Sequence, residues 1–264
     1  MKLRARIEGI GLLGPGLTGW PEAREALGGG APFAERATAL PAPDLLPPAE
    51  RRRTGKSIRV SLAAGLEAIA AARRDARDCT AVFTSSSGDG DICCALCEVL
   101  ATDDREISPT RFHNSVHSAP AGYWGIATGS MKAADSLCAF DASFAAGLLE
   151  AAVRLAAQPG EPVIVVAYDA PYPEPLNAVR PMPDAFAVAL VLAGAGTGPG
   201  TPVAFELARD EAPTKLADPR LEAMRVAIPA ARSLALLQLL ANGVPGRVVI
   251  EYLDGLALAA EVGP

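Results

Sequence analysis

The segment VIVVAYD at 163–169 places apolar and aromatic side chains one after another before its closing acid. A strand without polar alternation has no face to give to water, so it must be covered on both sides. A helical stretch precedes it, from about Ala142 to Ala157, with Leu148, Leu149, Val153 and Leu155 as its apolar positions. QPGEP then ends that helix. AFAVALVLAG and PVAFELA read as further strands, and AARSLALLQLLANG as a late helix with Gly243 as its C-cap. GRVVIEYLDG reads as a last strand.

The same alternation holds upstream. Lys2 to Gly11 reads as an opening strand, and the Pro/Ala stretch from Gly28 to Pro48 is too broken for anything but a loop. Ser57 to Arg74 predicts a helix, with Leu62, Leu66 and Ile69 at the helical period and Arg73 and Arg74 at its negative end. TAVFTSSS (80–87) is a buried-type strand running into a Ser/Gly loop, and Asp91 to Leu100 a short helix. Strands alternating with helices predict a layered α/β fold around a largely buried sheet. With 264 residues, half of them hydrophobic, the chain has ample material for that core. No repeat of solenoid length is visible.

Composition excludes several functions. A formal charge of −6 supplies no basic surface for nucleic acid. Glu8 and the surrounding glycines interrupt any signal-peptide apolar run, and no stretch reaches the ~18 apolar residues of a spanning helix. Five cysteines, with Cys93 and Cys94 adjacent, do not form a secreted disulfide framework. The expectation is a cytoplasmic, reduced protein without a membrane partner.

Three local motifs compete with plainer readings. GIGLLG (Gly9, Gly11, Gly14) follows a strand as a dinucleotide fingerprint does, but Pro15 and Gly16 extend the turn where a helix should open on the pyrophosphate. A glycine-rich strand exit is the better reading. Cys94-x2-Cys97, then fifteen residues, then His113-x3-His117 satisfies a zinc spacing. Yet Cys93, Cys94 and Cys97 share an apolar helical pattern with Ile92, Leu96 and Val99, where free cysteine acts as a small hydrophobe. No metal or cofactor is expected. The basic run Arg51, Arg52, Arg53 and Lys56 fits either docking of an acidic carrier protein or a solvated helix entrance.

The stretch SLCAFDASFAAGLLEAAVRLAAQ (136–158) is a short turn feeding a helix, with one thiol, Cys138, and one carboxylate, Asp141, in the turn. A helix start favours thiolate and so suits a nucleophile. A thiol alone cannot complete acyl chemistry, which also requires a proton carrier and an oxyanion site. His113 and His117 are the only histidines and both lie upstream of Cys138.

Over about its first 195 residues the chain resembles a β-ketoacyl synthase of the thiolase superfamily. ARIEGIGLLGPGLTGWPEAREALGGG resembles that family's first strand, Gly turn and helix. ERRRTGKSIRVSLAAGLEAI, VFTSSSGDG, ISP (107–109) and PAGYWGIATG (120–129) resemble its next landmarks. RPMPDAFAVALVLA (180–193) resembles the family's Arg-Pro-Phe-Asp stretch and the strand after it. Laid on the nucleophile elbow without a gap, Asp141 falls on the nucleophile, Ala142-Ser143 on the following Ala-Ser, and Asp169 on the acid closing the next strand. Cys138 lies three places upstream.

The departures carry the functional expectation. The family's nucleophilic cysteine is absent at its place, and the second half, which should hold two catalytic histidines, is shortened and has none. A carboxylate beside a helix N-terminus stays ionised and is a poor acyl acceptor. The resemblance therefore implies a thiolase-like fold with one complete half and a reduced second half, together a single domain (1–195 and 196–264). It also implies a non-catalytic chain length factor of the truncated aryl polyene kind. Such a subunit pairs with an active ketosynthase and meets acyl carrier protein through the complex. By the same resemblance Thr110, Arg111, Phe112, His113, Asn114 and His117 lie at the partner contact, and with Phe140 they shape the acyl tunnel. Three alternatives stay open: Phe112 and Phe140 as core aromatics, an acyltransferase using Cys138 with His113 or His117, and a scaffold that only stabilises the ketosynthase.

Overall fold

The structure is a computed structural model and describes residues 2–263. In chain order its elements begin with β1 (Leu3–Gly14), β2 (Leu17–Thr18), α1 (Trp20–Leu27), α2 (Pro48–Arg51), α3 (Lys56–Ala72), β3 (Thr80–Thr84) and α4 (Gly90–Leu100). There follow α5 (Pro109–Asn114), α6 (Ala119–Thr128), β4 (Ala134–Leu137), α7 (Ser143–Ala157), β5 (Val163–Asp169), α8 (Leu176–Val179) and β6 (Phe186–Gly194). The last are β7 (Thr201–Arg209), α9 (Pro219–Ala227), α10 (Leu234–Asn242), β8 (Gly246–Leu253) and β9 (Leu256–Val262). None of the described helices is long and apolar enough to cross a membrane.

The strands form one sheet in the order β4-β3-β5-β6-β1-β7-β9-β8, with β2 folded back on β1. Pairings of β3 with β4 and β5 are parallel, and the rest are antiparallel. β1 holds the two halves together: it pairs with β6 along Ala5–Leu13 and with β7 along Leu3–Ile7. The halves repeat a pattern that the sequence does not display. In the first, α7 leads into β5, which pairs with β6, which pairs with β1; in the second, α10 leads into β8, which pairs with β9, which pairs with β7. The first half continues outward through β3 and β4, whereas the second stops at β8. That is the shortening the sequence leads one to expect.

Two apolar cores sandwich the sheet. One face is covered by Phe144, Leu148 and Leu155 of α7, Leu234, Leu236 and Leu237 of α10, and Leu27 of α1. The other is covered by Ile58, Val60 and Leu62 of α3 and by Tyr123 and Trp124 of α6, packed on Phe83, Ile164 and Tyr168. β5 is buried along its whole length, as its unbroken apolar sequence requires.

The GIGLLG glycines are explained by this layering. A Cβ at Gly9 would lie 2.1 Å from the Ala68 carbonyl oxygen, and one at Gly11 2.0 Å from that of Ala64. Glycine here lets the alanine-rich face of α3 rest directly on the β1 backbone. The glycine-rich strand exit is thus a close helix-to-strand contact. Glu67 of α3 secures it, accepting from Leu12 N at 2.9 Å and Trp20 N at 2.6 Å.

Some expectations need correction. Cys93 and Cys97 are exposed and Cys94 is half-buried, because α4 stands outside both cores and buries only Leu96. Val153 of α7 also faces solvent. The 107–130 stretch carries two helices, α5 and α6; Pro109 occupies the first turn of α5, and the Ser108 side chain caps it. β4 and β9 escape the sequence pattern, β4 because it is short and half-polar, β9 because LALAAEV carries the composition of a helix.

Gly11→Ala should lower the unfolding free energy by about 2–3 kcal/mol, since α3 cannot retreat from β1 without opening the core. Gly160→Ala, where the added Cβ meets nothing within 4 Å, should change it by less than about 0.5 kcal/mol. Urea unfolding followed by tryptophan fluorescence separates the two, and equal effects would contradict the packing.

Candidate functional site

The C-terminal ends of β3, β4 and β5 converge with the turn that starts α7. β4 delivers Cys138 and Ala139, and a 3-10 turn, Phe140–Ala142, swings the chain into α7. Phe140 has φ 51°, a left-handed conformation uncommon for a bulky residue, so the reversal is compressed into one position. Ser143 fixes the turn: its hydroxyl accepts from Ala139 N at 3.1 Å and donates to the Phe140 carbonyl at 2.7 Å. Thr84 of β3 donates to the Ser143 carbonyl at 2.7 Å, and Gly147 lets α7 sit close on Thr84.

Asp169, at the end of β5, is fully buried and ties this region to the second half. One carboxylate oxygen accepts from Ser86 N (2.8 Å), Ser86 Oγ (2.7 Å) and Ser85 Oγ (3.2 Å); the other accepts from Ala230 N (2.8 Å). Burial pushes its carboxyl above the usual carboxylate range, and the donors from Ser86, Ala230 and Ser85 work against that. Ala230 lies in a 3-10 turn, Pro229–Ser233, at the start of α10, so Asp169 also positions Arg232.

Arg232 reaches back to Asp141. Its Nη2 lies 3.2 Å from Asp141 Oδ2, its Nη1 donates to the Asp141 carbonyl at 2.6 Å, and its Nε lies 2.9 Å from Glu251 Oε2. Arg180, just past α8, pairs with the other oxygen of Asp141. Its guanidinium is 3.6 Å from the centre of the Phe140 ring and 5.9 Å from that of Tyr172. Glu251 also pairs with Arg225 at 3.1 Å, and Arg225 with Glu222 at 2.8 Å. Asp141 is therefore the centre of an ion-pair chain, held by two guanidinium groups. The sequence reading names Asp141 but neither arginine; only RPMPD, which begins at Arg180, draws notice.

Cys138 and His117 meet the same loop without meeting each other. Cys138 Sγ donates to the Ser86 carbonyl at 3.2 Å, and His117 Nε2 lies 3.2 Å from the Ser85 carbonyl. No described hydrogen bond joins thiol to imidazole, so Cys138 is bonded to an acceptor that cannot take its proton away. His113 is exposed on α5. Among the described residues, no three His, Cys, Asp or Glu side chains gather to hold a metal ion.

The other expected residues scatter. Phe112 and Phe140 are 61% and 58% exposed, which corrects the reading of either as a core aromatic. Arg111 is exposed and Thr110 half-buried. Asn114 turns inward: it donates to the Arg53 carbonyl at 2.8 Å and accepts from Tyr123 Oη at 3.2 Å. In the basic run, Arg51 faces Asp44, Arg53 faces Glu50 and Lys56 faces Asp91; Arg52 is exposed.

Fold and site together define a ketosynthase-like α/β protein with an ion-paired carboxylate, Asp141, in the turn that starts α7. The chain belongs to the family described as beta-ketoacyl synthase, N-terminal domain, whose profile matches residues 24–245. No curated protein matches it significantly. Among solved structures, the chain is similar to one chain of a ketosynthase (ApeO) in complex with its chain length factor (ApeC) from Xenorhabdus doucetiae. The TM-score is 0.74 at 24% identity, covering 98% of this chain and 99% of that one. It is also similar to the ishigamide ketosynthase/chain length factor (TM-score 0.71, 15% identity, 98% and 99% covered). A third is AntDE:AntF, a type II polyketide synthase acyl-carrier protein in complex with its ketosynthase (TM-score 0.74, 13% identity, 100% and 99% covered). At these identities the likeness establishes the thiolase-like fold.

Asp141→Ala strips the counter-charge from Arg180 and Arg232. Because Asp141 is partly solvent-exposed, the expected loss is about 1–2 kcal/mol, below that of a fully buried pair. Asp141→Ala combined with Arg232→Leu should lose less than the sum of the single variants. Denaturant unfolding checks both, and strict additivity would contradict the clamp.

Proposed function

We propose that the chain is a non-catalytic chain length factor: a subunit that pairs with an active β-ketoacyl synthase in polyketide-type biosynthesis, of the aryl polyene kind, and shapes that partner's acyl tunnel. The observation that carries this reading is Asp141, at the family's nucleophile position, neutralised by Arg180 and Arg232, with neither histidine bonded to it or to Cys138. Condensation needs a nucleophile and a proton carrier together, and this centre offers neither. The solved relatives named as ketosynthase with chain length factor lend support, since this chain spans almost the whole of one chain in each.

The two edges of the sheet support a partner on one side. β8 is guarded, because Thr214 N donates to the Val249 carbonyl at 2.9 Å, Thr214 Oγ1 accepts from Val249 N at 2.9 Å, and Glu211 pairs with Arg247. β4, at the opposite edge, has no segment hydrogen-bonded along its outer backbone among the described residues; its Asp135 pairs with Arg154 of α7, and Ala134 and Asp135 are exposed on it. An unguarded edge strand is a template for another chain. Beside it Ile126 and Met131 are exposed, and Phe112 and Val116 are exposed on and just after α5.

In this arrangement Thr110, Arg111, Phe112, His113 and His117 face the partner and Asn114 braces them from behind. Phe140 closes the elbow under Arg180. Acyl carrier protein reaches the pair through the complex, with Arg52 as the member of the basic run best placed to meet it.

A growing acyl chain stops when its tip meets a wall, and forcing one more unit past it costs about 1–3 kcal/mol of overpacking. If Phe112 is that wall, Phe112→Ala should lengthen the polyene made by the co-expressed pair, shifting the product distribution roughly tenfold per blocked step. Phe140→Ala, in this subunit's own elbow, should alter stability more than product length. Mass spectrometry of the products, with size-exclusion chromatography of the complex, reads both. An intact heterodimer with unchanged products would move the wall elsewhere, and a chain that binds no co-encoded ketosynthase would contradict the function.

A further inference from the structure

β1 is paired on both sides for only part of its length. Its ladder with β7 closes at Ile7–Thr201, whereas its ladder with β6 runs on to Leu13, past a bulge at Glu8. On the β7 side the strand next finds partners at Leu12, whose N–H donates to Glu67 and whose carbonyl accepts from Gly19 N, each at 2.9 Å. Leu12 therefore points its backbone groups away from β6, and by the two-residue period of a strand so does Ile10. Ile10 is only 8% exposed, yet its N–H and carbonyl take no partner among the described hydrogen bonds. Buried backbone groups are almost always paired, so these two call for an occupant.

They open into a cleft of about 300 Å³ between the two halves of the molecule. Trp20 of α1 and Leu240 of α10 give it apolar walls, with Thr201 at the start of β7 and Ala71 near the end of α3. Glu8 lines the cleft but is held by Arg6 at 3.3 Å and by Arg74 at 2.5 Å, so its carboxylate is already answered. Arg24 lines the cleft too and pairs with no acid among the described residues. In a chain of formal charge −6, this corner carries an excess of positive charge.

Each feature fixes part of the ligand. A donor and an acceptor on an open strand edge are matched by the N–H and carbonyl oxygen of an extended amide, as in strand addition. Apolar walls take an aliphatic or aromatic side chain, and a free guanidinium takes a carboxylate. The open stretch ends at Leu12, so the cleft has room for one residue rather than a strand.

We propose that this cleft binds an N-acyl amino carboxylate with an apolar side chain, either free or as the last residue of a peptide. The ligand N–H donates to the Ile10 carbonyl, a ligand oxygen accepts from Ile10 N, and the carboxylate faces Arg24. The site shares no residue with the Asp141 clamp and does not depend on the pairing reading above.

N-acetyl-leucine is the probe, titrated into the full chain while the Ile10 amide is followed by NMR and the affinity by calorimetry. The Ile10 resonance should shift saturably. N-acetyl-leucine methyl ester, which lacks the carboxylate, and isocaproate, which lacks the amide, should each bind roughly tenfold more weakly or worse. Arg24→Gln should weaken the probe by a similar factor, and Ala71→Phe should abolish binding by filling the cleft. Both residues are exposed, so circular dichroism should not change. Acetyl-Ala-Ala-Leu separates the sources: binding as tight as the probe's assigns the site to a peptide end, and a roughly tenfold loss assigns it to a free acyl amino acid.

An Ile10 amide that does not move during the titration overturns the site and leaves ordered water as its occupant. Equal binding of the acid and its ester overturns the role of Arg24 and the ligand class. Binding that survives Ala71→Phe overturns the location.

Discussion

The buried carboxylate of Asp169 is the interaction on which the functional end of the sheet depends. It sits fully buried at the tip of β5, and its partners come from two distant places: the Ser85–Ser86 loop after β3 and the backbone of Ala230 before α10. An ionisable group is costly to bury, and satisfying all its acceptors fixes everything that donates to it. The Ser85–Ser86 loop in turn receives Cys138 and His117 on its carbonyls and leads into α4. The turn before α10 sends Arg232 across to the elbow. One side chain thus sets the relative positions of the elbow, the α4 base and the second half.

On that frame the turn into α7 is fixed by its own close contacts. The strained Phe140, the Ser143 bonds and the close contact at Gly147 are what a tight strand-to-helix reversal needs, whichever residue follows. The electrostatics of the turn are set by Asp141. A nucleophile needs a group that removes its proton, whereas Asp141 has two fixed cations and a chain of ion pairs running on through Glu251 and Arg225 to Glu222. Here the second half contributes a structural clamp, with Arg232 in contact with the elbow turn. The arrangement holds the two halves together at the turn that starts α7.

Much of the fold is legible in the sequence, because α3, α7, β5 and β6 are long and fully or half-buried and so carry strong periods. The elbow too is legible, since its residues are contiguous. The clamp is not: Arg180 and Arg232 lie 39 and 91 residues from Asp141, and an ion pair between distant segments leaves no local pattern. The internal repeat is hidden because the strand pairings recur without recurrence of sequence. α4 misleads for a different reason. Its apolar pattern is real, but the helix stands outside both cores and buries only Leu96.

The central claim is that this subunit carries no acyl chain of its own. Intact-mass analysis of both subunits, after the assembled pair is incubated with acyl-loaded carrier protein, tests it most directly. The account predicts one acyl adduct, on the ketosynthase, and an unmodified mass for this chain. A stoichiometric adduct on this chain, mapped to Cys138, would contradict it.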